Sequence, residues 1–344
     1  MKKLLALILA LATMLALTAC GNKTTPGTDA EQGDASAWAP SKSITILAPA
    51  GAGGGLDTAA RTIAKLANSE NLIDQGISVE NKPGGGQVTG TVEFAGKYSK
   101  DDHALLLVST PFILNYIKAD GNSPIGPDDV YPICELQSDY GVIAVRADAP
   151  YNTLGELFDA IKADPNAIQF CGGGAPGTWD HLQCMMAADA AGVDLSTLKY
   201  NTYDGGGEAL TALLGGHATA LTSDVSSVKE YVKAGQVRVL GVSSAERLSD
   251  DEVMKDVPTY TECGYAVTTS NWRGIFGGKN MSADAKAYWD AKLGELCATD
   301  AYQVELEKLG VQNTYKNAAD FYAALQTEME LYKDVYTKLG LALK

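Results

Sequence analysis

Basic residues are scarce in this chain of 344 residues: 27 Lys and Arg stand against 42 Asp and Glu, for a formal net charge of −15. Binding to a phosphate backbone needs a basic footprint that such a surface lacks, so nucleic acid is excluded as a partner. A small anion is also repelled at long range, so any site for one must work through local donors. Histidine is scarcer still, and the three present, His103, His181 and His217, are too scattered to suggest a metal site. No Cys-x-x-Cys spacing and no Gly-x-Ser-x-Gly elbow occur, which removes support for a zinc site and for serine hydrolysis. Past Leu17 there is no apolar run long enough to cross a bilayer as a helix.

What the chain does have begins at its first residues. Lys2 and Lys3 precede an apolar run from Leu4 to Leu17 that ends in Leu17-Thr18-Ala19-Cys20. This is an export leader over residues 1–19, and small residues before a cysteine resemble a lipobox in which Cys20 is lipidated and becomes the mature N-terminus. Residues 20–41, rich in Gly, Thr, Ser, Asp and Pro, bury too little apolar surface to offset their ordering entropy and read as a tether. The expectation is an extracytoplasmic monomer held at the membrane by its lipid. With Cys20 accounted for, Cys134, Cys171, Cys184, Cys263 and Cys297 remain. An odd number cannot all pair; export permits disulfides, and connectivity is left open.

The rest alternates short β-branched runs with amphipathic stretches, the pattern of α/β architecture with largely parallel sheets. Strands are expected near 43–48, 77–80, 104–109, 141–146, 168–171, 199–203, 217–222 and 237–242. Helices are expected at 57–68, 154–163, 178–191, 208–214, 225–234, 283–298, 301–309 and 318–339, with Gly192, Gly215-Gly216 and Gly235 as stops. The last sixty or so residues read as almost wholly helical, so they must cover a sheet made earlier in the chain. The size favours two lobes, 42–142 with 261–344 and 143–260, joined by two crossings that act as a hinge.

Three strand ends open into glycine clusters followed by a helix: Ala48 to Asp57, Cys171 to Leu182 and Tyr203 to Leu210. Glycine permits positive φ and close approach of a ligand, and a helix start offers free N–H groups with a positive dipole end. In open α/β sheets ligands sit beyond the carboxyl ends of strands, where all three clusters fall. A dinucleotide fingerprint is not met, because Gly51 and Gly53 are followed by Leu56 at the third glycine position. No P-loop lysine follows either, and no cofactor is expected. One such loop is too weak to hold a ligand; two facing each other suffice, which favours a closing cleft.

These segments resemble the tripartite tricarboxylate transporter receptors, also called the TctC or Bug family. "PAGAGGGLDTAAR" is similar to the family's P-x-x-x-G-G-x-x-D-x-x-A-R, and "VENKPGGGQVTG" to its E-N-x-P-G-A-G-G-x-x-G. "GGGAPGTWDHL" is similar to G-x-G-x-x-x-H-L, "ALTALLGGHATA" to a helix ending in L-L-G-G, and "DVPTYTECGY" to P-D-V-P-T-x-x-E-x-G. The resemblance implies a type II periplasmic-binding-protein fold, a small carboxylate in the cleft, no catalysis, and delivery to membrane transporter subunits. It places Gly53, Gly54, Gly55 and Asp57 on one side of the ligand and Gly174, Gly177, Thr178 and His181 on the other, with main-chain N–H groups rather than an arginine clamp as the donors. Trp179, and the residue near Thr219 where the family carries an acid, depart from the pattern.

Other residues at or near the strand ends are candidates by position: Ala50, Ser109, Thr110, Gly173, Tyr203, Ser223 and Asp224. Each competes with a local duty in a turn or cap. Asp57 also fits a first-turn acid paired with Arg61, which is the favoured role. His181 fits equally a carboxylate donor or a bridge from loop to helix. Trp272 is either a cleft wall or core.

Overall fold

The computed structural model describes residues 38–343 except 122, 174 and 204. The signal assignment, the tether up to residue 37, Cys20 and Gly174 therefore lie outside the described residues; the last four tether residues, 38–41, are instead part of the fold, because the Trp38 ring packs edge-on against His103 and Trp289 and Ser41 N donates to His103. Among the described residues, no helix is long and apolar enough to cross a membrane.

Two sheets organise the chain, and together they form a mixed α/β fold of two lobes. The first contains β1 (Ile44–Ala48), β2 (Ile77–Asn81), β3 (Ala104–Ser109), β4 (Val130–Asp139), β10 (Asn271–Gly278) and β11 (Gln312–Lys316), in the order β11-β4-β10-β3-β1-β2. The second contains β5 (Gly141–Arg146), β6 (Gln169–Gly173), β7 (Lys199–Tyr203), β8 (Ala220–Asp224) and β9 (Val237–Val242), in the order β7-β6-β8-β5-β9. The helices are α1 (Gly55–Ser69), α2 (Val88–Lys97), α3 (Pro111–Ile117), α4 (Leu154–Ala163), α5 (Trp179–Ala190), α6 (Gly206–Leu214), α7 (Val225–Lys233), α8 (Ala283–Cys297), α9 (Asp300–Leu309) and α10 (Ala318–Lys338).

The eight expected strands and eight expected helices are present within a few residues of the stated limits, and Gly192, Gly216 and Gly235 carry positive φ at helix ends. Two expectations need correction. The sheets are mixed rather than largely parallel, because β10 runs antiparallel to β3 and β4, β11 to β4, and β5 to β8 and β9. The C-terminal region is not wholly helical, since β11 interrupts it.

Composition explains why β4, β10 and β11 escape a hydrophobic pattern. β4 buries Glu135, Gln137, Ser138 and Asp139 along with its apolar residues. β11 answers the first of them twice, with Thr314 Oγ1 and Lys316 Nζ, each 2.6 Å from a Glu135 carboxylate oxygen. β10 is rich in glycine for a packing reason: a Cβ at Gly274 would stand 2.4 Å from the Phe321 ring of α10. Close approach of that ring substitutes for a side chain.

Register brings the two sheets edge to edge. β1, β3 and β4 end at one edge of the first sheet, where β10 begins, so Asn271 lies opposite Asp139 and Arg273 opposite Ser109. β6, β7 and β8 end at the corresponding edge of the second sheet, with Gly141 of β5 opposite Asp224. Only Tyr140 separates β4 from β5, so the two carboxyl-end edges meet at that crossing. The return crossing, between β9 and β10, is fastened to it by Ser243, whose hydroxyl accepts from Gly141 N at 2.8 Å and donates to Thr269 O at 2.7 Å. α10 also spans both sides: Phe321 packs on β10, and the Tyr336 hydroxyl donates to Gly177 O at 2.7 Å. One apolar cluster accordingly runs from Phe112 and Phe276 through Tyr332 and Tyr336 to Leu182 and Phe170.

Candidate ligand cleft

The first glycine turn is built by a carboxylate. Gly53 adopts a φ of 80°, open to glycine at little cost, and its N–H donates to Asp57 Oδ2 at 2.8 Å. Arg61 Nε donates to the same oxygen at 3.0 Å. The Arg61 hydrogen bond, followed by the Gly53 amide, brings the Asp57 pKa down to about 2. Asp57 is buried and its Oδ1 has no partner among the described residues. It fastens the turn to α1, as the favoured pairing with Arg61 requires. Ala50 is similarly occupied, its N–H donating to Ala48 O and its carbonyl accepting from Asn81 Nδ2.

Gly54 N donates to Gly51 O at 3.2 Å, whereas the amides of Gly55, Leu56 and Asp57 have no acceptor among the described residues. These are the orphan donors of a helix start, and they carry its positive dipole end. They are not alone: a Cβ at Gly55 would lie 3.1 Å from Arg273 Nη2. Ser109 and Thr110 support the same edge. Ser109 exchanges two hydrogen bonds with Gln87, and Thr110 Oγ1 accepts from Trp272 N while donating to Ser270 O. Trp272 itself is core, 1% exposed, with Nε1 donating to Glu328.

The second turn repeats the device. Gly173 N donates to Asp180 Oδ2 at 2.7 Å, and Gly177, with φ 82°, donates to His181 Nδ1 at 3.2 Å. Accepting at Nδ1 leaves the proton on Nε2, and burial followed by the nearby Lys118 charge lowers the His181 pKa to about 4. The ring is neutral and stands edge-on to Tyr200, so the bridging role is the one its geometry fits. Thr178 Oγ1 donates to Ala175 O at 2.7 Å.

The third turn touches the second. A Cβ at Gly173 would stand 2.8 Å from Gly206 N and 3.0 Å from Gly205 C, and one at Gly206 would lie 3.3 Å from Ser223 Oγ. Tyr203 ends the preceding strand, partly exposed. The amides of Gly206 and Gly207, at the start of α6, have no acceptor among the described residues. Asp224 then ties this side to the other: it accepts from Trp179 Nε1 at 2.6 Å and from Asn271 Nδ2 of β10 at 3.1 Å.

A run of contacts and chain neighbours thus links all three turns, from Gly55 through Arg273, Asn271, Asp224, Trp179 and Asp180 to Gly173 and Gly206. Within it lie three carboxylates. Burial first, then the Asp224 charge, raises the Asp139 pKa to about 7. The same two causes push Asp180 well above the usual carboxylate range, and burial raises Asp224 despite the hydrogen bond from Trp179. Arg273 is the cation among them, 3.6 Å from Asp139.

Asp139, Asp180, Asn271 and Arg273 were absent from the sequence-based candidates. Asp139, Asn271 and Arg273 sit on the two strands whose composition concealed them. Asp180 stands inside a quoted motif but at one of its unspecified positions. Among the described residues, no cluster of His, Cys, Asp and Glu is arranged to hold a metal ion.

Comparison with known proteins agrees with this architecture. Residues 59–341 match the model of the tripartite tricarboxylate transporter family receptor. Protein BugT of Bordetella pertussis is 28% identical over 312 residues, covering 89% of this chain and 91% of BugT. The crystal structure of a TctC solute binding protein from Polaromonas is 27% identical, with a TM-score of 0.70 over 87% of this chain and 99% of that one. MatC from Rhodopseudomonas palustris, solved with bound malate, has a TM-score of 0.70 at 22% identity, covering 86% and 99% of the two chains. That last likeness bears on the fold. The matching family and the structural neighbours are solute receptors, not enzymes.

Proposed function

Because this chain belongs to the tripartite tricarboxylate transporter receptor family, we propose that it captures a small carboxylate outside the cytoplasm and delivers it to the membrane subunits of such a transporter. The ligand class is a di- or tricarboxylate, an amino acid or a related organic acid. What supports this reading is the run of contacts that joins the open α1 amides, Arg273 and the two further glycine turns where the carboxyl-end edges of the two sheets meet. Donors of this kind are matched to a carboxylate, and two facing sets give the several kcal/mol that micromolar binding requires, about 8 kcal/mol in all. The lobes 42–142 with 261–344 and 143–260 close on the ligand about Tyr140 and the Ser243 fastening. Lipid on Cys20 keeps the receptor near the transporter, and the mature protein works as a monomer.

A thermal-shift panel of organic acids, paired with mass spectrometry of whatever co-purifies, tests the reading. A few acids should raise the melting temperature without being consumed, by about 2.7 kcal/mol of added stability at one hundred times Kd. Turnover of any of them, or no shift with any anion, defeats it.

A further inference from the structure

Arg273 is buried yet unsatisfied. It is 8% exposed, its one described ion-pair partner, Asp139, stands at 3.6 Å, and its guanidinium makes no hydrogen bond among the described residues. Its nitrogens are nevertheless not among the atoms sealed from solvent, so its donors remain accessible. A guanidinium has five N–H groups in a planar fork that matches a carboxylate, and leaving them unfilled in a buried place is costly. The start of α1, with its open amides, is close by, since Nη2 is 3.1 Å from where a Gly55 Cβ would stand. Asp139 is fully occupied, by Arg273, Tyr140 N and both the amide and hydroxyl of Ser226, and serves to hold the guanidinium.

The other lobe offers an acceptor for a positively charged group. Asp180 gives one oxygen to Gly173 N, while its second has no partner among the described residues, and the residue is partly exposed. Asp224 lies near enough for the two to repel. With Asp139, this makes three carboxylates around one arginine. A purely anionic ligand leaves Asp180 to keep its proton, whereas a ligand ammonium group can take that proton's place beside Asp224.

We propose that the cleft is built for a zwitterion of the α-amino-acid kind, its carboxylate on Arg273 and the α1 amides and its ammonium group on Asp180 beside Asp224. The proposal rests on the reading of the cleft as a carboxylate site and narrows it.

The test is a thermal-shift screen of the purified protein with α-amino acids beside their des-amino counterparts: alanine with propionate, aspartate with succinate, glutamate with glutarate. Calorimetry on the hits then gives affinities. At least one amino acid should bind about 10-fold or more tightly than its des-amino partner. Asp180→Asn keeps an acceptor for Gly173 N and should shrink that preference about 10-fold. Arg273→Lys keeps a cation opposite Asp139 and should weaken both classes about 10-fold or more. Unliganded melting curves of both variants separate loss of folding from loss of binding. Equal or tighter binding of the des-amino acids, or an unchanged preference in Asp180→Asn, overturns the zwitterion while leaving carboxylate capture standing. Binding of neither class overturns both, and an Arg273→Lys variant with native affinities removes Arg273 from the site.

Discussion

Replacing Gly173 by alanine is the sharpest probe of whether the second and third turns form one surface. The added methyl group would stand 2.8 Å from Gly206 N, 3.0 Å from Gly205 C and 3.0 Å from Asp180 Oδ2. Two of these neighbours are backbone, so the start of α6 or the end of β6 must move. Overpacking of this kind costs about 1–3 kcal/mol. For a chain of this size that corresponds to a melting temperature lower by roughly 2–8 °C. Movement of a few tenths of an ångström also displaces the open amides of Gly206 and Gly207, so the affinity for any acid that binds should fall by about 10-fold or more. Gly53→Ala is the control, because a Cβ there meets nothing within 4 Å and the strain comes only from its φ of 80°, a cost of about 1–2 kcal/mol. Differential scanning calorimetry and ligand titration on both variants give the answer. A Gly173→Ala protein with native stability and native affinity would show that the turns do not press on one another and would refute the convergence.

Further outcomes follow from buried titratable groups. Asp139 holds a proton in the folded state up to about pH 7, whereas an unfolded aspartate releases it near 3.9. Its contribution is therefore present below pH 4 or so and lost as pH rises toward 7, so Asp139→Asn should abolish a loss of stability across that interval. His181, neutral in the fold with a pKa of about 4, contributes fully above its ordinary value of about 6.5, and that contribution is lost as pH falls through this range. Urea denaturation of wild type, Asp139→Asn and His181→Gln at several pH values separates the two opposed slopes; identical slopes contradict the assignments. Cys134, Cys171, Cys184, Cys263 and Cys297 are free, and Cys263 alone among them is partly exposed. A thiol reagent should modify Cys263 in the native protein and the other four after unfolding, and a reductant should leave the melting temperature unchanged. A reductant-dependent melting temperature would reveal a disulfide.

The sequence by itself determined the elements that rest on local chemistry: eight strands, eight helices, their glycine stops, and three glycine turns at strand ends, which periodicity and φ preference encode directly. It also showed the pairing of Asp57 with Arg61, since four residues along a helix bring two side chains together. Tertiary structure decided what long-range register alone supplies. β4 and β10 read poorly because their buried polar residues and glycines are satisfied by partners far away in the chain, Thr314, Lys316 and Phe321. Their antiparallel pairing is what sets Asn271 against Asp139 and carries Arg273 to Gly55. Backbone amides and Asp224 were therefore legible in advance, while Arg273 and the other two carboxyl groups, Asp139 and Asp180, were not. Nothing local distinguishes a buried, paired aspartate from a solvated one; the desolvation that separates them exists only once the chain has folded.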